Sequence, residues 1–374
     1  MSLCLIPYTF VPRMSRILFI ASHRPGRSPS QRFRYEQYLP YLRANGFECD
    51  ESWIISEKDD KVFYSPGNIF TKGYIFLKSA VRRVRDTLRA KHYDIVFVQR
   101  EAFMTGSVFF EKRFSKKSKL VFDFDDAIWL LDVSEANKRF GWLKNPQKTQ
   151  KLIAMARLVI AGNDYLAEFA RQYNKNTVVI PTTIDTDLHK RTPFDKKDER
   201  VCIGWTGSLT TIKHFDNATP FLLKLKERFG SKIYFKVIGD ESYRNERLGV
   251  KGIAWNENTE VQDMAEFDIG IMPLPDDKWA RGKCGLKGLS YMAMEIPTVM
   301  SRVGVNTGII RDGVNGLLAG NENEWIEKIS RLVEDSTLRA NLGKSGRQTV
   351  VDKYSVLAQR ENYFSQLQKL VKEK

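Results

Sequence analysis

Apolar residues in this chain gather in short runs separated by stretches of helical spacing. Residues 16–21 (RILFIA), 47–55 (FECDESWII), 94–98 (DIVFV), 119–124 (KLVFDF), 158–162 (LVIAG) and 177–181 (TVVIP) form one set. Runs this short, rich in Val, Ile, Leu and Phe, predict strands of a parallel sheet covered on both faces. A second set begins at 201–205 (VCIGW) and continues through 233–240, 249–255, 268–274 (DIGIMPL) and 297–301 (PTVMS). Between the runs lie predicted helices. Residues 70–90 set Ile75, Phe76, Leu77, Val81, Val84 and Leu88 against Lys78, Arg82, Arg83, Arg85 and Arg89. Residues 148–158 and 163–173 follow, the latter with Asn163 as its cap. In 285–294, Leu286, Leu289 and Met292–Ala293 share a face, and the chain closes on a helix from 356 to its end. Strand, loop, helix, strand in alternation predicts an α/β fold built from βαβ units.

Length adds a second domain: 374 residues exceed what one core usually holds. The polar stretch 182–200, with Pro193, reads as the linker. We therefore expect a first domain over 1–185, completed by about 355–374, and a second over 186–354. No apolar stretch of about 18 residues is present, so no spanning segment is expected. Residues 1–14 lack the basic start and long apolar centre of a secretory signal. Four scattered cysteines fit a reduced cytoplasmic protein better than a disulfide scaffold or a metal site.

Charge changes the picture more. The formal net charge is +15, and basic residues concentrate at 78–92 and 111–119. Such a balance points to an anionic partner: nucleic acid, an acidic membrane surface or a phosphorylated substrate. The basic stretches carry no base-stacking or helix-turn-helix pattern, which argues against nucleic acid. The 70–90 pattern suits a membrane-surface helix, but equally the outer helix of an α/β domain, which we expect here.

Candidate chemistry lies at strand ends. The loop after 16–21 carries Arg24, Arg27, Arg32 and Arg34, which can hold an anion or be the solvated first turn of a helix. After 119–124 come Asp123, Asp125 and Asp126. Strand alternation would put Asp123 and Asp125 on one side and Asp126 on the other. A carboxylate here can orient or deprotonate an acceptor hydroxyl, or simply cap the next turn. Asp123-Phe124-Asp125 also looks like the short metal-binding D-x-D pattern, a match we discount because so short a motif specifies little. The loop DDKWARGKCG, at 276–285, runs from a strand into a helix N-terminus, the place where open α/β sheets bind phosphates.

One ordered run carries a resemblance: Lys287, Tyr291-Met292-Ala293, Ile296-Pro297-Thr298-Val299, Gly304, Ile309-Ile310 and Asp312-Gly313-Val314-Asn315-Gly316. It resembles the signature of glycosyltransferase family 4, the glycosyl transferases group 1. That resemblance implies a GT-B fold, two Rossmann-like domains facing a cleft, with the last helix crossing back to the first. It implies transfer of a sugar from a nucleotide-sugar donor to a glycan or lipid-linked acceptor, with retention and without metal or other cofactor. Catalytic candidates are then Asp125, Lys213 and Lys287. Donor-binding candidates are Gly207, Ser208, Lys213, Gly239, Asp240, Trp255, Asn256, Gly285, Leu286, Lys287 and Ser290. Arg27, Arg32, Arg34, Asp125 and Asp126 would meet the acceptor. Where the family often has two Glu, this chain has Gly282 and Ser290. A non-catalytic GT-B relative binding a glycan or nucleotide is the alternative. Basic charge on the first domain suits work on cell-surface polysaccharide or lipopolysaccharide, in the cytoplasm or peripherally at the inner membrane face.

Overall fold

In the computed structural model, residues 14–65, 67–130, 145, 147–192, 194, 199–208 and 211–373 are described. The expectation about 1–14 falls almost wholly outside them. The first sheet contains β1 (Ser15–His23), β2 (Phe47–Ile55), β3 (Ile95–Gln99), β4 (Lys119–Phe124), β5 (Leu158–Ala161) and β6 (Thr177–Val179). Their order is β2-β1-β3-β4-β5-β6, and every pairing is parallel. Alternation divides β1 between the faces. Ile17, Phe19 and Ala21 join one core, and Leu18 and Ile20 join the other.

The second sheet contains β7 (Val201–Thr206), β8 (Ile233–Gly239), β11 (Ile253–Ala254), β12 (Ile269–Met272), β13 (Thr298–Ser301) and β14 (Leu317–Ala319). The order is β11-β8-β7-β12-β13-β14, again parallel. The order reverses between β7 and β12, so the crevice at their carboxyl ends is where such a sheet takes a ligand. Residues 249–255 do not form the single strand expected. Gly252 interrupts them, leaving β10 (Val250–Lys251), antiparallel to β9 (Arg244–Asn245), and then β11. A Cβ at Gly252 would overlap the Asp240 carbonyl, so the chain folds tightly there.

The final helix, Val356–Lys372, returns to the first domain as expected. Tyr363, Leu367 and Leu370, on one face of it, enter that domain's core. Tyr363 stacks on Tyr38 with ring centroids 4.2 Å apart. Ile184 bridges Ser355 where the two crossing strands of chain pass.

The helix Ile69–Arg89 departs from expectation. Against the sheet it buries Ile75, Ser79, Arg83, Asp86 and Thr87, a mostly polar set. Arg83 is wholly buried, donating to the Ala102 carbonyl at 2.6 Å and pairing with Asp86 at 2.8 Å. It is therefore no part of a solvated basic face.

Candidate functional site

The carboxyl ends of the two sheets face each other. The loop after β1 meets residues just after β11: Arg32 pairs with Glu260 at 2.9 Å and Glu257 at 3.5 Å, and its guanidinium lies 5.2 Å from the Trp255 ring centroid. The loops after β4 and β5 meet the loop after β12. There Lys283 pairs with Asp126 at 2.8 Å, and Asn163 donates to the carbonyl of Lys283 at 3.0 Å. Gly282 packs on Ala127 so closely that a Cβ would lie 2.7 Å from the alanine methyl.

On the second domain, the loop after β7 begins with Gly207 and Ser208 and reaches Lys213, which opens the short helix Lys213–Asp216. Gly207 and Gly239 lie back to back at the ends of β7 and β8. Gly239 has φ of +143°, and a Cβ there would come within 2.6 Å of the Gly207 carbonyl. Only glycine allows that approach, which packs the two turns against each other, with the Gly207 amide donating to the Ile238 carbonyl and the Ser208 amide to the Thr211 hydroxyl, both at 2.9 Å. Across the crevice Gly285, with φ of +73°, precedes the helix Leu286–Ala293. Lys287 sits in its first turn, 5.4 Å from the Trp205 ring centroid. Burial, and then Lys283 beside it, push the Lys287 ammonium down to about 8. No carboxylate among the described residues pairs with it.

Three other donor candidates are engaged locally. Asp240 accepts from the Ser242 amide at 2.8 Å, closing its own turn. Asn256 accepts from the Asn258 amide at 2.9 Å. The Ser290 hydroxyl donates back to the Leu286 carbonyl at 3.0 Å. Leu286 packs against the apolar cluster under the helix. Neither Gly282 nor Ser290 supplies a carboxylate at its place in the cleft.

On the first domain the acids divide differently from the alternation. The strand β4 ends at Phe124, so Asp125 and Asp126 both fall in the following turn and share one cation. Arg100 donates to Asp125 at 2.8 Å and also binds Asp126. Arg100 holds φ of +60°, a left-handed backbone uncommon outside glycine and often found at functional sites. Burial works to raise Asp126, but Lys283 and Arg100 outweigh it and hold it below the ordinary carboxylate range. Asp123 is buried beneath, against Arg34 at 2.5 Å. Arg34 also donates to the Ile180 carbonyl at 2.5 Å. Arg34 is 2 % exposed, so the cleft-side loop expected to present it does not: a guanidinium this buried serves the fold. Arg24 and Arg27 do remain at the cleft edge, both on Asp60, at 3.0 Å and 2.5 Å.

The structure brings together residues that the sequence did not single out. Arg100 follows β3 directly, a strand-end position that could have been flagged. Lys283 lies in the loop before Gly285. His214 adjoins Lys213, and its Nδ1 is buried without a hydrogen-bond partner. Burial, then the neighbouring Lys287, Lys283 and Lys213, push His214 down to about 4. Three lysines thus surround one neutral imidazole at this end of the crevice. Such an arrangement can bind an oxygen-rich dianion, with Asp125 and Asp126 opposite to take hydrogen bonds from a hydroxyl.

Residues 200–335 match the family model described as "Glycosyl transferases group 1". An uncharacterized glycosyltransferase of Methanocaldococcus jannaschii is 39% identical over 66 residues, which are 17% of this chain and 19% of that protein. The chain thus spans about a fifth of the length of that curated relative. Sucrose-phosphate synthase from Thermosynechococcus elongatus superposes with a TM-score of 0.70 at 16% identity, covering 95% of this chain and 99% of that one. HepE of Anabaena, in complex with UDP and glucose, gives 0.65 at 15% identity, covering 95% and 100%. Residues 200–335 thus match the glycosyl transferases group 1 model, and the chain as a whole has the GT-B fold of these solved structures, two parallel sheets facing each other across a cleft.

Proposed function

We propose that the protein transfers a sugar from a nucleotide-sugar donor to a glycan or lipid-linked acceptor, in assembly of a cell-surface polysaccharide or lipopolysaccharide. One observation carries the donor half of this reading. Lys287 is an ammonium with no ion-pair partner among the described residues, in the first turn of a helix, beside a glycine turn and Lys283 and with Lys213 near the same His214, at the switch point of a doubly wound sheet. That is a site for a diphosphate, where helix amides and cations meet developing negative charge as the sugar departs. HepE, similarly folded, is described in complex with UDP and glucose, which supports the same donor class.

Lys287, with Lys213 and the first-turn amides after Gly285, holds the diphosphate. Asp125 and Asp126, fixed by Arg100 and Lys283, orient the acceptor hydroxyl. Arg24 and Arg27 extend the acceptor side with positive charge. The reaction retains anomeric configuration, by resemblance to the family. It runs without a metal ion: lysines stand where the leaving group needs charge, and the carboxylates already share arginine and lysine partners. We place the acceptor domain over 1–185 with 355–374 and the donor domain over 186–354. No helix among the described residues is long and apolar enough to cross a membrane. We place the enzyme in the cytoplasm, peripheral at the inner membrane face.

The test is release or transfer of label from a panel of radiolabelled nucleotide-sugars, wild type beside Lys287→Ala and Asp125→Asn. The first variant should lose about 3 kcal/mol of transition-state stabilisation, the scale of one preorganised donor. The second should lose turnover with nucleotide affinity kept. Equal turnover in all three proteins would sink the assignment.

A further inference from the structure

The helix Ile69–Arg89 presents the wrong face to solvent for an ordinary outer helix. Phe70, Tyr74, Leu77, Val81, Val84 and Leu88 recur at steps of four and three, which gathers them in an arc of about 80°. All six are exposed: Phe70 by 96%, Tyr74 by 66%, and Leu77 and Leu88 by 62% each. Opposite them the buried seam is Ile75, Ser79, Arg83, Asp86 and Thr87. A surface helix of a soluble domain normally hides its apolar stripe and shows its polar one. Here the polar side is satisfied inside, through the Arg83–Asp86 pair and carbonyls of neighbouring strands. The apolar stripe, about 30 Å long, is left open. A continuous exposed apolar strip marks a surface made to meet something.

Charge along the strip selects the partner. Lys78, Arg82, Arg85 and Arg89 line one border. Arg85 has no ion-pair partner among the described residues. The adjoining helix Phe109–Ser115 adds Lys112 and Arg113, with Lys116 and Lys117 just beyond it. Acidic side chains are absent from the outside of both helices: Asp86 and Glu111 are buried. A second copy of this chain on the strip would set these basic borders against each other. We propose that Ile69–Arg89 is an interfacial helix that lies in the plane of an anionic bilayer, its Phe70-to-Leu88 stripe among the acyl chains and its arginines at the headgroups.

This deepens the membrane-face reading of the proposed function and gives it a surface. It also orients the cleft. Tyr64, just before the helix, is 55% exposed, and its hydroxyl lies 3.4 Å from His23 Nε2 at the end of β1. Asp60, which holds Arg24 and Arg27, is in the preceding helix Glu57–Phe63. Docking by the stripe would bring the mouth of the acceptor side to headgroup level, where a lipid-carried hydroxyl can enter it.

Vesicle sedimentation tests this, with phosphatidylcholine alone and with about a third phosphatidylglycerol, in roughly 0.05 M and 0.5 M salt. The wild type should bind only the anionic vesicles. F70S/L77S/V81S changes exposed side chains alone, so it should keep its melting temperature yet lose at least about tenfold in vesicle affinity at both salts. R82Q/R85Q should lose about fivefold per arginine at low salt and little at high salt. Hydrolysis of a soluble nucleotide-sugar, which does not involve the strip, should be equal in all three proteins. Vesicle binding that is absent, or unaffected by the serine substitutions, overturns the proposal while leaving the donor chemistry standing if hydrolysis persists. A dimer in sedimentation velocity that the serine variant dissolves, without vesicle binding, assigns the strip to self-association and overturns it equally. Vesicle binding without hydrolysis of any donor leaves the helix assignment in place and removes the enzymatic reading.

Discussion

Protonation of Lys287 offers a direct reading of the donor site. In the protein alone its ammonium sits at about 8, against 10.5 for ordinary lysine, because burial and then Lys283 disfavour the charge. A diphosphate placed against it favours the charged form and lifts that value. The sign follows by linkage. Below pH 8 free and bound protein are both protonated at this group, and affinity is flat. Above pH 8 the free protein loses the proton while the complex keeps it. Binding then takes up a proton, and affinity falls by up to about tenfold per pH unit. If the complex restores the ordinary value, the gap of about 2.5 between 8 and 10.5 corresponds to roughly 3 kcal/mol, or about 300-fold between neutral and strongly alkaline pH. The assay is titration calorimetry with UDP, then GDP and ADP, from about pH 6.5 to 10 in buffers of different ionisation heat, which counts protons directly. Lys287→Met keeps the length and removes the charge. It should weaken binding near neutral pH by about 2 kcal/mol, one charge-assisted contact, and abolish the proton uptake. Uptake near zero at pH 9 in the wild type, or the same uptake in Lys287→Met, would refute the placement of the diphosphate on this residue.

Turnover should persist in excess EDTA; loss restored by Mn²⁺ or Mg²⁺ would instead assign Asp125 and Asp126 to a metal. Arg34→Met strands the buried Asp123 carboxylate and should destabilise the fold by about 3–5 kcal/mol in urea unfolding, with any loss under about 1 kcal/mol contradicting the buried pair.

Much of the fold was legible because its causes are local. A run such as KLVFDF has no polar alternative to a buried strand, and the structure ends β4 at Phe124 as the run does. Asn163 caps its helix by accepting from the Leu166 amide at 2.9 Å, as its place before a helical pattern predicts. Lys287 beside Gly285 was legible for the same reason, since a glycine turn before a helix fixes where its first residues point. Asn163 also shows the limit. Its Nδ2 reaches across to the carbonyls of Gly282 and Lys283, more than a hundred residues away, and no local pattern encodes that.

What only the tertiary structure decided is which charges meet and which faces are covered. The sequence places Arg24, Arg27, Arg32 and Arg34 in one segment. The fold sends Arg24 and Arg27 to Asp60, Arg32 to Glu260 in the other domain, and Arg34 to buried Asp123. It likewise puts Asp125 and Asp126 on Arg100, and Lys283 between the domains. The helix Ile69–Arg89 makes the point most plainly. Periodicity established that it has an apolar side, and by itself assigned that side to the core. Arg83 and Asp86 reversed the assignment, because paired with each other and with strand carbonyls they can be buried at little cost, and the apolar stripe was left outside. Hydrophobic spacing is a property of neighbouring residues and can be read along the chain; the pairing of distant charges depends on strand order and crossing chains, and exists only once the chain has folded.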